Sequence, residues 1–210
     1  MIRVRKNLVG PTDLATKGYS CDAIRKAILD DQDGKCYLCE RSLTTDFQVE
    51  HLQSQNNFLE QKDIWNNLFI ACGYCNQKKS CNFDDICNPS KCNLEQEISQ
   101  KVNFATNKAE FSIKVTDEAH QKTETLLRRL YNGTQPRMRN CREERFWNAF
   151  VQQINVFQAA LNRYIEVGDN EKEIVALLDV KSENLGFKYT MLSENPALLE
   201  KFSGNIVWNK

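Results

Sequence analysis

Cys36-Tyr37-Leu38-Cys39 and Cys72-Gly73-Tyr74-Cys75-Asn76 are the stretches on which the reading of this chain turns. Each is a C-x2-C knuckle that sets two thiolates on one side of a tight turn. Two such knuckles supply the four tetrahedral ligands, Cys36, Cys39, Cys72 and Cys75, that a structural Zn2+ ion takes. The pairs stand farther apart than in a simple zinc ribbon, so the segment between them reads as an insert that the metal holds closed. Zinc would contribute on the order of 10 kcal/mol toward holding such a piece together. The rival reading is four buried free cysteines.

The insert carries Val49-Glu50-His51, and Trp65-Asn66-Asn67-Leu68 runs up to the second knuckle. Phe47 to Glu50 alternates like a brief strand, and Leu68 to Ala71 reads as a second, more buried one. A helix should begin at the second knuckle, with Asn76 in its first turn. His51 and His120 are the only two histidines, so histidine chemistry has few candidates. His51 ends a short strand, beside a carboxylate, in a polar zinc-clamped segment. A histidine base with a carboxylate and an amide oxygen as hard ligands suits one Mg2+-like ion. Adjacent strand residues point to opposite faces, so Glu50 and His51 share a site only if the strand bends or ends there.

This order of residues resembles the HNH (ββα-metal) nuclease family. The matching elements are the Cys36/Cys39 knuckle, Glu50-His51, Asn67-Leu68 and Cys72-x2-Cys75-Asn76-x2-Lys79, over about residues 36 to 80. The resemblance implies that His51 is the general base and that Glu50 and Asn76 hold one catalytic divalent ion, Mg2+ or Mn2+. It implies that Asn67 braces the loop that aims His51, and that Lys78 and Lys79 touch flanking phosphates. Glu50 as a carboxylate that only orients the histidine, Asn76 as a helix cap, and the two lysines as a solvated face are the plainer alternatives. A narrower resemblance rests on Leu29-Asp30-Asp31-Gln32, Cys39-Glu40, Val49-Glu50-His51, Trp65 to Cys72 and Asn88-Pro89. These look like the HNH subunit of Septu-type antiphage systems, PtuB, also found with retrons. That implies a PtuA-like ATPase partner in a hetero-oligomeric complex. Leu52-Gln53-Ser54-Gln55 departs from the proline and basic residue usual after the histidine.

The rest of the chain reads as the frame around this module. Of 210 residues, 41% are hydrophobic and 27% charged, which excludes a disordered chain. No stretch has the ~18 consecutive apolar residues of a membrane span, and the basic N-terminus lacks a following apolar region, so no secretory signal is expected. With nine cysteines suited to a reducing compartment, the expected location is cytoplasmic. Lys plus Arg and Asp plus Glu each number 28, so the formal charge is zero. Nucleic-acid binding would then need a local basic patch or a partner that delivers substrate. Residues 122 to 145 hold seven cations against Glu124, Glu143 and Glu144, and within that run Arg137 and Arg139 are candidate nucleic-acid contacts. A charged helix surface is the alternative.

Helices are expected from Cys21 to Asp31, from Thr116 to Leu130, from Glu144 to Val167, from Glu171 to Val180 and after Asn195-Pro196, with a hairpin over Lys101 to Val115. Phe146, Phe150, Ile154, Phe157, Leu161 and Tyr164 make the strongest helical stripe, read as core. Cys81, Cys87 and Cys92 read as buried small side chains rather than a second metal site, and His120 as a surface residue. The expected fold class is α+β, a zinc-stapled ββα-metal module embedded in a mainly α-helical body. It divides into an N-terminal segment and helix (1–34), the HNH module with its four-cysteine zinc site (35–95), and a hairpin plus helical region (96–210). The expected function is hydrolysis of DNA or RNA phosphodiesters as the nuclease of a Septu-like complex. The rivals are a free-standing restriction-type HNH endonuclease, and an inactive zinc-knuckle scaffold in which His51→Ala has no effect.

Overall fold

The computed structural model describes residues 1–135 and 138–206. It opens with helices α1 (Asp13–Lys17) and α2 (Asp22–Asp31), the second burying Ile24 and Ile28, one turn apart, on a single face. Asp33 and Gly34 take positive φ and turn the chain into the first knuckle, where the Glu40 N–H donates to the Cys36 carbonyl at 2.8 Å.

Strand β1 (Gln48–His51) pairs antiparallel with β2 (Leu68–Ala71), with Glu50 opposite Phe69 and His51 opposite Leu68. Helix α3 (Gly73–Lys79) follows directly, its N-cap Cys72 accepting from the Cys75 N–H. These elements make the ββα unit. Every residue of β2 is buried, and α2 packs on it: the Gln32 side chain exchanges hydrogen bonds with Ile70, 2.7 Å to its N–H and 2.9 Å to its carbonyl.

A turn, α4 (Leu94–Glu97), leads into hairpin strands β3 (Ile98–Asn103) and β4 (Lys108–Ile113). Phe104, which the alternation suggests as a strand residue, lies in the connecting turn and is exposed. Helix α5 (Glu118–Asn132) is capped by Asp117, not Thr116, because the Asp117 carboxylate accepts the His120 N–H at 2.8 Å. The long helix α6 (Cys141–Val167) starts three residues before the expected Glu144. Its first turn is set by an Asn140/Glu143 capping box, and Gly168 ends it in the left-handed conformation.

Helices α7 (Glu171–Leu177), α8 (Leu185–Ser193) and α9 (Pro196–Phe202) follow. The periodicity does not disclose α8. It buries Leu185, Gly186, Phe187, Lys188, Thr190 and Leu192, so it is covered nearly all round and carries no one-sided stripe.

The fold is α+β, as expected, with two small antiparallel sheets among helices. One buried cluster runs from Ile24 and Ile28 through Leu68 to Ala71 and on to Phe111, Tyr131, Phe146, Phe150 and Phe187. Tyr74 of α3 stacks on Phe146 of α6 at 4.5 Å between centroids and donates its hydroxyl to the Leu130 carbonyl at 2.6 Å. A second cluster joins Phe157 and Leu161 to Ile174, Leu178, Leu192 and Phe202. Among the described residues no helix is long and apolar enough to cross a membrane.

Candidate active site and metal centre

The two knuckles meet face to face. The ligand sulfurs of Cys36, Cys39, Cys72 and Cys75 all lie within 4.8 Å of one another, all four residues are buried, and Cys39 Sγ is 4.0 Å from Cys72 Sγ. Zn–S bonds of about 2.3 Å in a tetrahedron place sulfurs roughly 3.8 Å apart, so the cluster fits structural zinc. Burial, and then the neighbouring sulfurs, push the Cys75 thiol well up, so four thiolates form here only with a cation among them. Arg41 stands beside the four sulfurs. Burial works against its charge, but the cysteines outweigh it and raise its pKa. Its guanidinium would help balance the net negative charge of a zinc tetrathiolate there.

His51 ends β1 and is 6% exposed. Its Nε2–H donates to the Lys62 carbonyl at 2.9 Å, which leaves Nδ1 with the lone pair. The Gln55 amide faces that nitrogen at 3.2 Å and also donates to the Tyr19 hydroxyl at 3.0 Å. The Tyr19 ring stands edge-on to the imidazole at 4.7 Å. Burial lowers the His51 pKa below the ordinary histidine value, outweighing the Lys62 carbonyl, which raises it. The ring is therefore neutral near pH 7, as a base must be.

Glu50 faces a different environment, as strand alternation requires. It accepts the Tyr37 hydroxyl at 2.5 Å and pairs with Lys79 Nζ at 2.9 Å. Lys79 also donates to the His51 carbonyl at 3.0 Å and lies 3.7 Å from Asp84. Burial lifts the Glu50 carboxyl above its usual range, against the pull of Lys79 and the Tyr37 hydroxyl. Asn67, also buried, donates to the Gln53 and Gln61 carbonyls, both at 3.0 Å, and accepts the Gln53 N–H at 2.7 Å. It thus ties both ends of the loop that follows His51. Asn76 Nδ2 donates to Gln48 Oε1 at 2.7 Å, and its side-chain oxygen has no hydrogen-bond partner among the described residues.

The structure thus gathers Glu50, Lys79 and Asp84 at one point and His51, Gln55 and Tyr19 at another. Among the described residues no hydrogen bond joins Glu50 to Asn76. Their donor atoms are oxygens, the kind a hard divalent ion takes, while the metal-ligand group found among the described residues is that of the four cysteines. An ion on Glu50 would use lone pairs that Tyr37 and Lys79 leave open.

Several expectations are corrected. Lys79 is not a phosphate contact: it is fully buried, because Glu50, Asp84 and the His51 carbonyl neutralise and solvate its amine. Lys78 is paired with Glu143 of α6, so its charge is already met. Arg139 faces inward, donating to the Tyr131 and Asn107 carbonyls at 2.9 and 2.8 Å and lying over the Trp147 ring at 3.9 Å. Arg137 lies outside the described residues. His120 is buried, not on the surface, bonded to Asp117 at 2.8 Å and Glu97 at 3.1 Å. Of the three cysteines read as buried small side chains, Cys87 is buried, while Cys81 and Cys92 are half-buried.

Sequence reasoning passed over Tyr37, Gln55 and Asp84. Asp84 accepts Ser54 N–H and Oγ–H, both at 2.8 Å, and Asn57 Nδ2 at 2.6 Å, so it anchors the loop beyond His51. Its signal in the sequence, an Asp84-Asp85 pair after the second knuckle, has no local partner to give it meaning.

A short antiparallel pair, a helix entered through a cysteine knuckle and a histidine at the strand end define a zinc-stapled ββα module. The family model of HNH endonucleases matches residues 36–81, which span this module from the first knuckle to the end of α3. The chain thus carries an HNH endonuclease domain, and its chemistry is hydrolysis of nucleic-acid phosphodiesters. Neither curated proteins nor solved structures give a match to the chain.

Proposed function

We propose that the chain is a metal-dependent endonuclease in which His51 is the general base, and that it is the nuclease subunit of a Septu-like antiphage complex with an ATPase. The observation that carries the chemistry is the tautomer of His51. With Nε2–H spent on the Lys62 carbonyl, Nδ1 is the nitrogen able to take a proton. A water that takes the place of the Gln55 amide at Nδ1 loses a proton to His51 as its oxygen bonds to phosphorus. The P–O3′ bond breaks, the 3′ oxygen gains a proton from solvent, and the products carry a 5′ phosphate and a 3′ hydroxyl.

Glu50 and the side-chain oxygen of Asn76 would hold the divalent ion, Mg2+ or Mn2+, which supplies charge stabilisation on the phosphate oxygens. Asn67 and Asp84 are positioning residues that hold the loop carrying Gln55 and leading to Lys62. The partner assignment rests on the sequence resemblance and on the zero net charge, which suits a subunit whose complex delivers substrate.

The test is cleavage of plasmid DNA and of bulk RNA, with Mg2+ or Mn2+, by wild type and His51→Ala, each alone and with an ATPase encoded beside it. Cleavage lost in His51→Ala is the expected result. A partner requirement supports the complex; cleavage by the chain alone makes it a free-standing endonuclease. Cleavage that survives His51→Ala overturns the assignment of the base.

A further inference from the structure

The basic run of residues 122–145 splits in two in the folded chain. Arg139 is turned inward, onto Trp147 and two backbone carbonyls. Arg142 and Arg145, one turn apart on α6, are exposed. With Arg41 of the first knuckle they line a cleft of about 250 Å3, together with Asp46, Tyr74 and Phe146. Three arginines and one carboxylate thus line it. Arg41 already stands beside the cysteine sulfurs, whereas Arg142 and Arg145 form no ion pair among the described residues, and Arg142 donates to Gln77 Oε1 at 2.6 Å. The Tyr74 hydroxyl is spent on Leu130, so hydrogen bonding in the cleft falls to the arginines.

The cleft adjoins the exposed face of α3. A Cβ at Gly73 would lie 3.6 Å from Asp46 and 4.0 Å from Arg142, so the first turn of α3 borders it through bare backbone. Gln77, which holds Arg142, directly follows Asn76 on α3. On a chain of zero net charge, this is a local excess of cations next to a proposed metal ligand.

We propose that the Arg41–Arg142–Arg145 cleft binds a backbone phosphate of the nucleic acid, flanking the scissile one. The inference rests on the endonuclease reading and adds the residues that hold the strand. Guanidinium forks match the oxygens of a phosphodiester two at a time, and Arg142 and Arg145, unpaired among the described residues beside the single carboxylate of Asp46, leave charge to be met by an anion. The contact is to the backbone, so it positions the strand and reads no bases.

The test uses the full zinc-loaded chain. Fluorescence anisotropy measures binding of labelled duplex DNA, single-stranded DNA and RNA between roughly 50 and 200 mM salt, with no divalent ion added. In Arg142→Ala/Arg145→Ala the affinity should fall about tenfold, and the slope of log K against log salt should flatten by about 1 on duplex, as for one lost phosphate contact. Arg142→Lys/Arg145→Lys should retain the slope. Lys172→Ala/Lys181→Ala, which removes the same charge from an exposed surface elsewhere, should leave both unchanged.

Wild-type affinity and slope in the alanine pair would overturn the proposal, as would an equal loss in the Lys172/Lys181 control. Hydrolysis of bis(p-nitrophenyl) phosphate by wild type with Mn2+ checks the endonuclease reading separately. Without that hydrolysis, a loss of binding confined to the arginine pair still supports the phosphate cleft, while the nuclease reading fails.

Discussion

His51 is an imidazole with one nitrogen already committed. The Lys62 carbonyl holds Nε2–H, so Nδ1 is the nitrogen open to a proton, as the proposed base requires, and burial favours the unprotonated ring. Removing it by His51→Ala should lower cleavage by about 10²- to 10⁴-fold, the range for a general base. Activity needs the neutral ring, and the His51 pKa lies below its usual 6.5. The rate should therefore hold down through pH 6.5 and fall only as pH drops through the lowered pKa. An acid limb of kcat/KM centred at or above 6.5 would contradict this. Lys79 makes the opposite kind of contribution. Its amine is the only cation in ion-pair contact with the buried Glu50 carboxylate, among the described residues. Lys79→Met should destabilise the fold by about 3 kcal/mol or more, because it leaves a buried charge uncompensated. Chemical denaturation measures this, and a change below about 1 kcal/mol would mean the pair is dispensable.

At the scale of elements, the ββα unit has short strands and a seven-residue helix, too little regular structure to stand alone. Zinc supplies what the sheet lacks. Chelation, or Cys72→Ser, should release one zinc per chain and collapse near-ultraviolet dichroism, since zinc contributes on the order of 10 kcal/mol to such a site. Retention of the native spectrum without metal would sink the structural role. The α4–α5 junction carries a pH-sensitive clasp. Burial disfavours charging His120, but bonds to Asp117 and Glu97 outweigh it and raise its pKa. Its stabilising effect relative to His120→Gln should be complete below pH 6.5 and fade as pH rises through the raised folded pKa. A stability difference that is flat from about pH 5 to 9 would show the ring is held neutral.

On the scale of the whole molecule, the aromatic cluster ties the zinc module to the helical body. Tyr131 touches Phe111, Phe146, Phe150 and Phe187 with centroids 4.8 to 5.7 Å apart, and its hydroxyl reaches the Cys39 carbonyl at 3.4 Å. Tyr131→Ala should cost about 3 to 5 kcal/mol, as for loss of a large core aromatic. It should lower the temperatures of helix melting and zinc release together. Two separated transitions would show that the module folds independently of the helices.

Much of this was legible locally. The two knuckles, the Glu50-His51 step and the α6 stripe announce themselves because a turn, a strand end and a helix face each encode their residues at fixed short spacings. Thus the chain sequence alone determined the four zinc ligands, the candidate base and the α+β class. Only the tertiary structure decided which nitrogen of His51 is free, because that depends on Lys62, eleven residues away. It decided that Lys79 is buried, because its partners Glu50 and Asp84 come from separate segments. It turned Arg139 inward to a half-buried position and left Arg142 and Arg145 exposed, because Trp147 and the Tyr131 and Asn107 carbonyls hold the first. Residue type and spacing carry the first group of facts. The second depends on partners distant along the chain, which only packing brings into contact.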